Sequence, residues 1–264
     1  MTQDERLNFL IEAFRAESKE YEKLSVPAER DRKRQFLRAL MNVRMPGPMS
    51  AEVLAVQDAY LRERAEEKGV VRLDDIPVIR DGLSVWQGDI TRLAVDAIVN
   101  AANSAMLGCF VPGHNCIDNC IQTYAGVQMR AECDRQMRLM KEKYGQRYVQ
   151  PTAIPLLTDG YNLPAKKVIH IVGPVVTGAL THRHRTELAD CYTNTLDLCM
   201  REGLTSLAFC CISTGVFHFP NEEAAEIAVN TVRGWQETHG NAIERIIFNV
   251  FKDEDKKYYE TLMR

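Results

Sequence analysis

From Ile79 onward the chain alternates short β-branched runs with longer helical stretches, and this alternation constrains the fold more than any other feature. The runs Leu83–Trp86, Ala97–Asn100, Val168–Val172, Ser206–Ser213 and Ile246–Phe251 have the length and composition of strands. Between and after them, Asp118–Tyr144, Thr186–Glu202, Asn221–Thr238 and Asp255–Met263 read as helices. Such an order predicts an α/β domain, a central sheet with helices on both faces. In these sheets ligands lie beyond the carboxyl ends of the strands, so the loops after the strands are where chemistry is expected.

The preceding residues read differently. They hold no Cys and only two glycines, Gly47 and Gly69. Thr2 and Glu5 form a capping box, and Leu7, Leu10, Ile11 and Phe14 then share one helical face. Pro27 fits a first helical turn after Ser25, with Phe36, Leu37, Leu40 and Met41 as the next apolar stripe. Pro46-Gly47-Pro48 breaks that helix, and Ser50 caps a third that carries Val53, Val56 and Tyr60. The expectation is a helical extension packed on the main domain, as a stabilising cap or as a docking surface for a partner.

Composition excludes several classes. A net charge of -3 and a pI near 6.1 leave no basic surplus for nucleic acid or for an acidic membrane. The apolar runs are far shorter than a membrane span, and the charged N-terminus lacks a signal-peptide core. All eight Cys lie between Cys109 and Cys211, which in a domain of this size reads as reduced thiols and a cytoplasmic location. Cys191, Cys199, Cys210 and Cys211 sit in apolar runs, as small buried hydrophobes do.

Neither GxGxxG nor GxxxxGK[ST] is present, which disfavours the usual dinucleotide and P-loop sites. Gly88-Asp89-Ile90-Thr91 follows the first strand. Asp89 could accept a hydrogen bond from a base amine, or simply cap the next helix. Asn100-Ala101-Ala102-Asn103-Ser104 offers amides for ribose hydroxyls, or an Asn-rich turn. Ser213-Thr214-Gly215-Val216-Phe217 runs into a helix; its N–H groups could cradle phosphate oxygens, and taken alone the segment reads as a plain strand-to-helix turn. Gly173-Pro174-Val175-Val176 ends another strand, and His182-Arg183-His184-Arg185 beyond it reads as a solvated loop. Near the last strand, Phe248 or Phe251 could stack on a base or pack in the core.

The sharpest local signal is Gly108–Cys116. Cys109, His114 and Cys116 fall within eight residues, around Pro112 and Gly113, which bend the chain. Three protein ligands with an open fourth position is a catalytic zinc arrangement, and Cys120, one helical turn on, is a rival fourth ligand; the alternative is two buried Cys beside an unrelated His.

Together the segments VWQGDIT (Val85–Thr91), AIVNAANS (Ala97–Ser104), DGYNLPAKKVIHIVGP (Asp159–Pro174), ISTGVFHFP (Ile212–Pro220) and the last strand, Ile246–Asp255, resemble the macrodomain family, in order and at family spacing. The resemblance covers about residues 80 to 264. It implies a three-layer α/β/α fold with a central mixed sheet over residues 76–264, preceded by a helical N-terminal extension over residues 1–75. It also implies an ADP-ribose ligand. Asp89 and the Ile90 backbone would hold adenine and Phe251 would stack on it. Asn103 would hold the distal ribose, and Ser213, Thr214, Gly215, Val216 and Phe217 would wrap the diphosphate.

Commoner hydrolases of the family carry a glycine run where this chain has Cys109–Cys116. The following residues still match, which places Asp118 on the catalytic Asp. Cys120 falls where metal-free relatives often carry Cys too, which weakens it as a ligand. The chain is similar to the zinc-containing macrodomains, a microbial subgroup with a helical N-terminal extension, encoded beside class M sirtuins. That resemblance implies one Zn2+ held by Cys109, His114 and Cys116, and hydrolysis served by Asp118 and Asn103. The substrate implied is mono-ADP-ribose on a lipoate-bearing, glycine-cleavage-H-like carrier protein. The alternatives are a non-catalytic ADP-ribose reader and an O-acetyl-ADP-ribose deacetylase.

Overall fold

The computed structural model describes residues Met1–Arg264. Four helices come first: α1 (Gln3–Arg15), α2 (Lys19–Glu22), α3 (Arg30–Val43) and α4 (Ala51–Lys68). Thr2 and Glu5 close the expected capping box on α1, and Ser50 caps α4. The apolar stripes of α1 and α3 meet Tyr60 and Leu61 of α4 in a core of their own. α3 starts at Arg30, later than expected, and Pro27 lies in the connection before it. The four-residue α2 is too short for apolar periodicity to reveal.

The rest builds β1 (Val71–Arg72), β2 (Leu83–Gln87), β3 (Leu93–Ala94), β4 (Ala97–Ala101), α5 (Ile117–Ala125), α6 (Val127–Tyr144), β5 (Leu156–Asp159), β6 (Lys167–Ile171), α7 (His182–Glu202), β7 (Ser206–Phe209), α8 (Asn221–His239), β8 (Arg245–Val250) and α9 (Asp253–Met263). Six strands form a mixed sheet in the order β2-β8-β7-β4-β6-β5. All neighbours are parallel except β5, which runs antiparallel to β6 at the edge. β1 pairs with β3 in a separate parallel ladder. Helices flank the sheet in three-layer α/β/α order, α7, α8 and α9 packing side by side and α5 beside α6. The central strands are buried along their length, as parallel strands covered on both faces must be. No helix is long and apolar enough to cross a membrane.

Four expectations change. The helix expected over Asp118–Tyr144 divides at Gly126, where φ is 101° and a Cβ would meet Gln57 Nε2 of α4 at 2.7 Å. That φ is one L side chains rarely adopt, so glycine is the residue that breaks the helix there. The strand expected to reach Ser213 stops at Phe209, because the chain turns there and Ser213 adopts φ 66°. His182–Arg185 is the first turn of α7, capped by Thr181, rather than a loop. The edge strand β5, four residues long, was not anticipated.

Candidate active site

β2, β8, β7, β4 and β6 run parallel, so their carboxyl ends share one edge of the sheet. A cleft of about 1020 Å³ lies there. It is lined by Asp89 and Ile90 after β2, Asn103 after β4, Ser213–Phe217 after β7 and Phe251 after β8. Cys109, His114, Cys116 and Asp118 line it as well. The structure thus brings every residue to which the family resemblance assigns a role to one cleft, while Asn100, Phe248 and the Gly173–Val176 segment do not line it.

At one end, Asp89 caps the short 3-10 turn Ile90–Arg92: its Oδ1 accepts from Thr91 N at 3.0 Å and from Thr91 Oγ1 at 2.6 Å. Its Oδ2 receives Lys68 Nζ of α4 at 3.3 Å, and that ammonium lies 3.2 Å from the Tyr124 ring centroid. Phe248 is core, whereas Phe251 is 79% exposed at the lip. An aromatic left in water at a cleft mouth has its ring face free for a flat ligand.

Along the middle, the N–H groups of Gly215, Val216 and Phe217 make no backbone hydrogen bond. Thr214 Oγ1 donates to Cys211 O at 3.0 Å and His218 N to Gly215 O at 3.1 Å, which closes the loop into a tight turn. Successive free N–H groups just ahead of α8 form an anion cradle. Val176 N donates to Phe217 O at 2.9 Å, tying the segment after β6 to the same loop.

At the other end stands Asp118, in the first turn of α5 and buried. Asn100 Nδ2 donates to its Oδ1 at 2.8 Å and Asn103 Nδ2 to its Oδ2 at 3.3 Å. Burial pushes the carboxyl up to about 6, against the pull of those amides and of Arg130. Asn100 also donates to His170 Nδ1 at 3.0 Å, so this imidazole is a neutral acceptor there, with Nε2 facing Thr158 Oγ1 at 3.0 Å.

Beside Asp118, the ligating atoms of Cys109, His114 and Cys116 lie within 4.8 Å of one another. Cys109 Sγ and His114 Nδ1 are 3.5 Å apart. Tetrahedral ligation with Zn–S near 2.3 Å and Zn–N near 2.0–2.1 Å sets those atoms about 3.5 Å apart, so the pair fits zinc. The Cys116 sulphur caps α5 and accepts from Asn119 N at 3.5 Å. Burial pushes its thiol up, as does the nearby Cys109 sulphur. A cation among these groups relieves both effects. Cys120 stays out of the group; its sulphur meets an Arg38 nitrogen at 3.4 Å.

Sequence reasoning missed Arg38, Lys68 and Tyr124, which reach or line the cleft, and Asn42 and Asn119, which hold the metal-type loop. Arg38, Asn42 and Lys68 lie in the extension, far along the chain from anything that resembles a site. Only Asn119 carried a usable signal, a buried-side amide one residue past Asp118.

A sequence profile of the Macro domain family matches residues 99–228. A protein-ADP-ribose hydrolase of Treponema medium is 48% identical over 267 aligned residues, covering 100% of both chains. One of Staphylococcus aureus (strain MRSA252) is 44% identical, covering 97% of this chain and 94% of that one. The crystal structure of the Trypanosoma brucei macrodomain in complex with ADP-ribose superposes with a TM-score of 0.65 at 28% identity, covering 86% of this chain and 95% of that one. On the profile, the full-length relatives and the shared architecture, this chain belongs to the macro domain family.

Proposed function

We propose that this protein is a hydrolase that removes mono-ADP-ribose from an acidic side chain of a modified protein. The observation that carries the reading is the juxtaposition of Asp118, Asn103 and the Cys109–Cys116 loop at one end of the cleft. A module that only read ADP-ribose would need no buried carboxylate there. The full-length relatives named as protein-ADP-ribose hydrolases support the same reading.

ADP-ribose lies along the cleft in this reading. Asp89 and Ile90 take adenine, with Phe251 stacked on it. The free N–H groups of Gly215, Val216 and Phe217 hold the diphosphate, with Ser213 and Thr214 shaping their turn. Asn103 orients the distal ribose against Asp118. Asp118 accepts the proton of the attacking water or offsets positive charge developing at the ribose. Water is consumed, and ADP-ribose and the freed carboxyl side chain leave.

Cys109, His114 and Cys116 would hold one Zn2+. When bound it supplies Lewis acidity, softened by two thiolates, next to the distal ribose. The partners implied by the resemblance are a lipoate-type carrier protein and the class M sirtuin that modifies it.

The test is release of free ADP-ribose from a carrier protein mono-ADP-ribosylated on an acidic residue. Wild type, Cys116→Ala and Asp118→Ala are compared after each is shown to be folded. Release by wild type, with Asp118→Ala slower by about 10²- to 10⁴-fold, supports the hydrolase. ADP-ribose binding without release, under zinc-replete conditions, refutes it and leaves a reader or an enzyme for another linkage.

A further inference from the structure

We infer that the N-terminal extension is a working part of the metal site: Arg38 and Asn42 of α3 are positioning residues that hold the Cys109–Cys116 loop in ligating shape. This rests on the zinc reading above.

The loop needs outside support. Residues 109–116 belong to no helix or strand, and Val111–Asn115 are exposed. Its sole internal backbone bond runs from His114 N to Val111 O, at 3.2 Å. The first half is held from α5: Asn119 Nδ2 donates to Cys109 O at 3.1 Å and to Val111 O at 3.0 Å.

The second half, which carries the histidine, is held from α3. Arg38 donates to His114 O at 2.6 Å and to Asn115 Oδ1 at 2.9 Å. The same guanidinium reaches Asn119 Oδ1 at 3.0 Å, so one planar fork ties both halves together. Asn42, wholly buried and one helical turn further on, accepts from Gly113 N at 2.9 Å. Gly113, His114 and Asn115 are thus each bonded to α3 by one of these two side chains.

α3 is in turn fixed to the main domain. Arg130 of α6 donates to the carbonyls of Met41 at 3.2 Å, Asn42 at 3.0 Å and Arg44 at 2.5 Å. These bonds occupy the α3 C-terminus, where carbonyls have no partner within the helix. Leu37, Leu40 and Met41 anchor a neighbouring face of α3 in the extension's core. The clamp therefore stands on a rigid element. Groups that orient metal ligands from behind typically govern affinity by about 10- to 100-fold.

The experiment measures Zn2+ affinity of the full-length protein by competition with a chromophoric chelator. The variants are Arg38→Met, which keeps the stem and removes the donors, Arg38→Lys, and Leu37→Ala, which opens the α3 core without touching the loop. Arg38→Met is expected to weaken Zn2+ binding by about 10- to 100-fold. Arg38→Lys recovers only part, because one ammonium cannot span both halves of the loop. Leu37→Ala lowers the thermal midpoint while folded protein keeps wild-type affinity. Arg38→Met binding Zn2+ as tightly as wild type overturns the inference and leaves the zinc reading standing. Wild type that binds no Zn2+ overturns both.

Discussion

Gly173, just after β6, faces the turn proposed to hold the diphosphate. A Cβ there would lie 2.1 Å from Ser213 Oγ and 2.7 Å from Ile212 Cγ2. Both separations are far inside van der Waals contact, the first by roughly 1 Å or more. Ser213 Oγ has no hydrogen-bond partner and is free to rotate away. Ile212 is β-branched, fully buried and stiff at χ1, so it relaxes only by moving backbone. Gly173→Ala therefore pushes residues 212–217 outward. Overpacking of this kind costs about 1–3 kcal/mol. In a chain of this size each kcal/mol lowers Tm by about 2–4 °C. Misalignment of the three N–H groups is expected to weaken ADP-ribose binding by about tenfold, or 1.4 kcal/mol. Thermal unfolding and calorimetric titration with ADP-ribose read the two effects. Ser213→Gly added to Gly173→Ala removes the nearest clash and suits the φ of 66°, so it should restore part of both. A Gly173→Ala protein with wild-type Tm and affinity would refute the packing argument.

Three further outcomes are expected. His170 is fully buried, and burial pushes its pKa down to about 3. Its folded-state pKa lies below its unfolded value near 6.5, so the stability of its neutral form is present above pH 6.5 and is lost as pH falls toward 3. Between pH 7 and 5 the gap in unfolding free energy between wild type and His170→Gln should narrow by about 2 kcal/mol in urea titrations; a pH-independent gap contradicts this. Phe251→Ala should leave Tm within the noise, because the ring is 79% exposed, yet raise the ADP-ribose Kd by roughly tenfold through lost stacking. Stripping metal with a chelator should abolish ADP-ribose release and Zn2+ should restore it. A folded apo-protein that keeps full activity assigns the metal loop a structural role only.

Much of the site was legible because its parts are local. Ser213–Phe217 and Asn100–Ser104 each follow a strand directly, and parallel strands deliver such loops to one edge. Cys109, His114 and Cys116 span eight residues, so a bend at Pro112 and Gly113 is enough to bring them together. Asp89 shows the limit of this reading: sequence offers capping and ligand-facing as alternatives, whereas the residue both caps the turn and lines the cleft. Gly126 shows another, since apolar periodicity continues across it while its φ of 101° breaks the helix.

Sequence alone determined the strand–helix order, the edge of the sheet where the cleft lies, and the clustering of Cys109, His114 and Cys116, because each depends on neighbours along the chain. Tertiary structure alone decided what surrounds them. Arg38 meets the carbonyl of His114 across 76 residues, Lys68 meets Asp89 across 21, and Asn100 joins Asp118 to His170 across 18 and 70. A hydrogen bond is set by distance and direction in space, and no periodicity of apolar side chains encodes which distant donor will arrive.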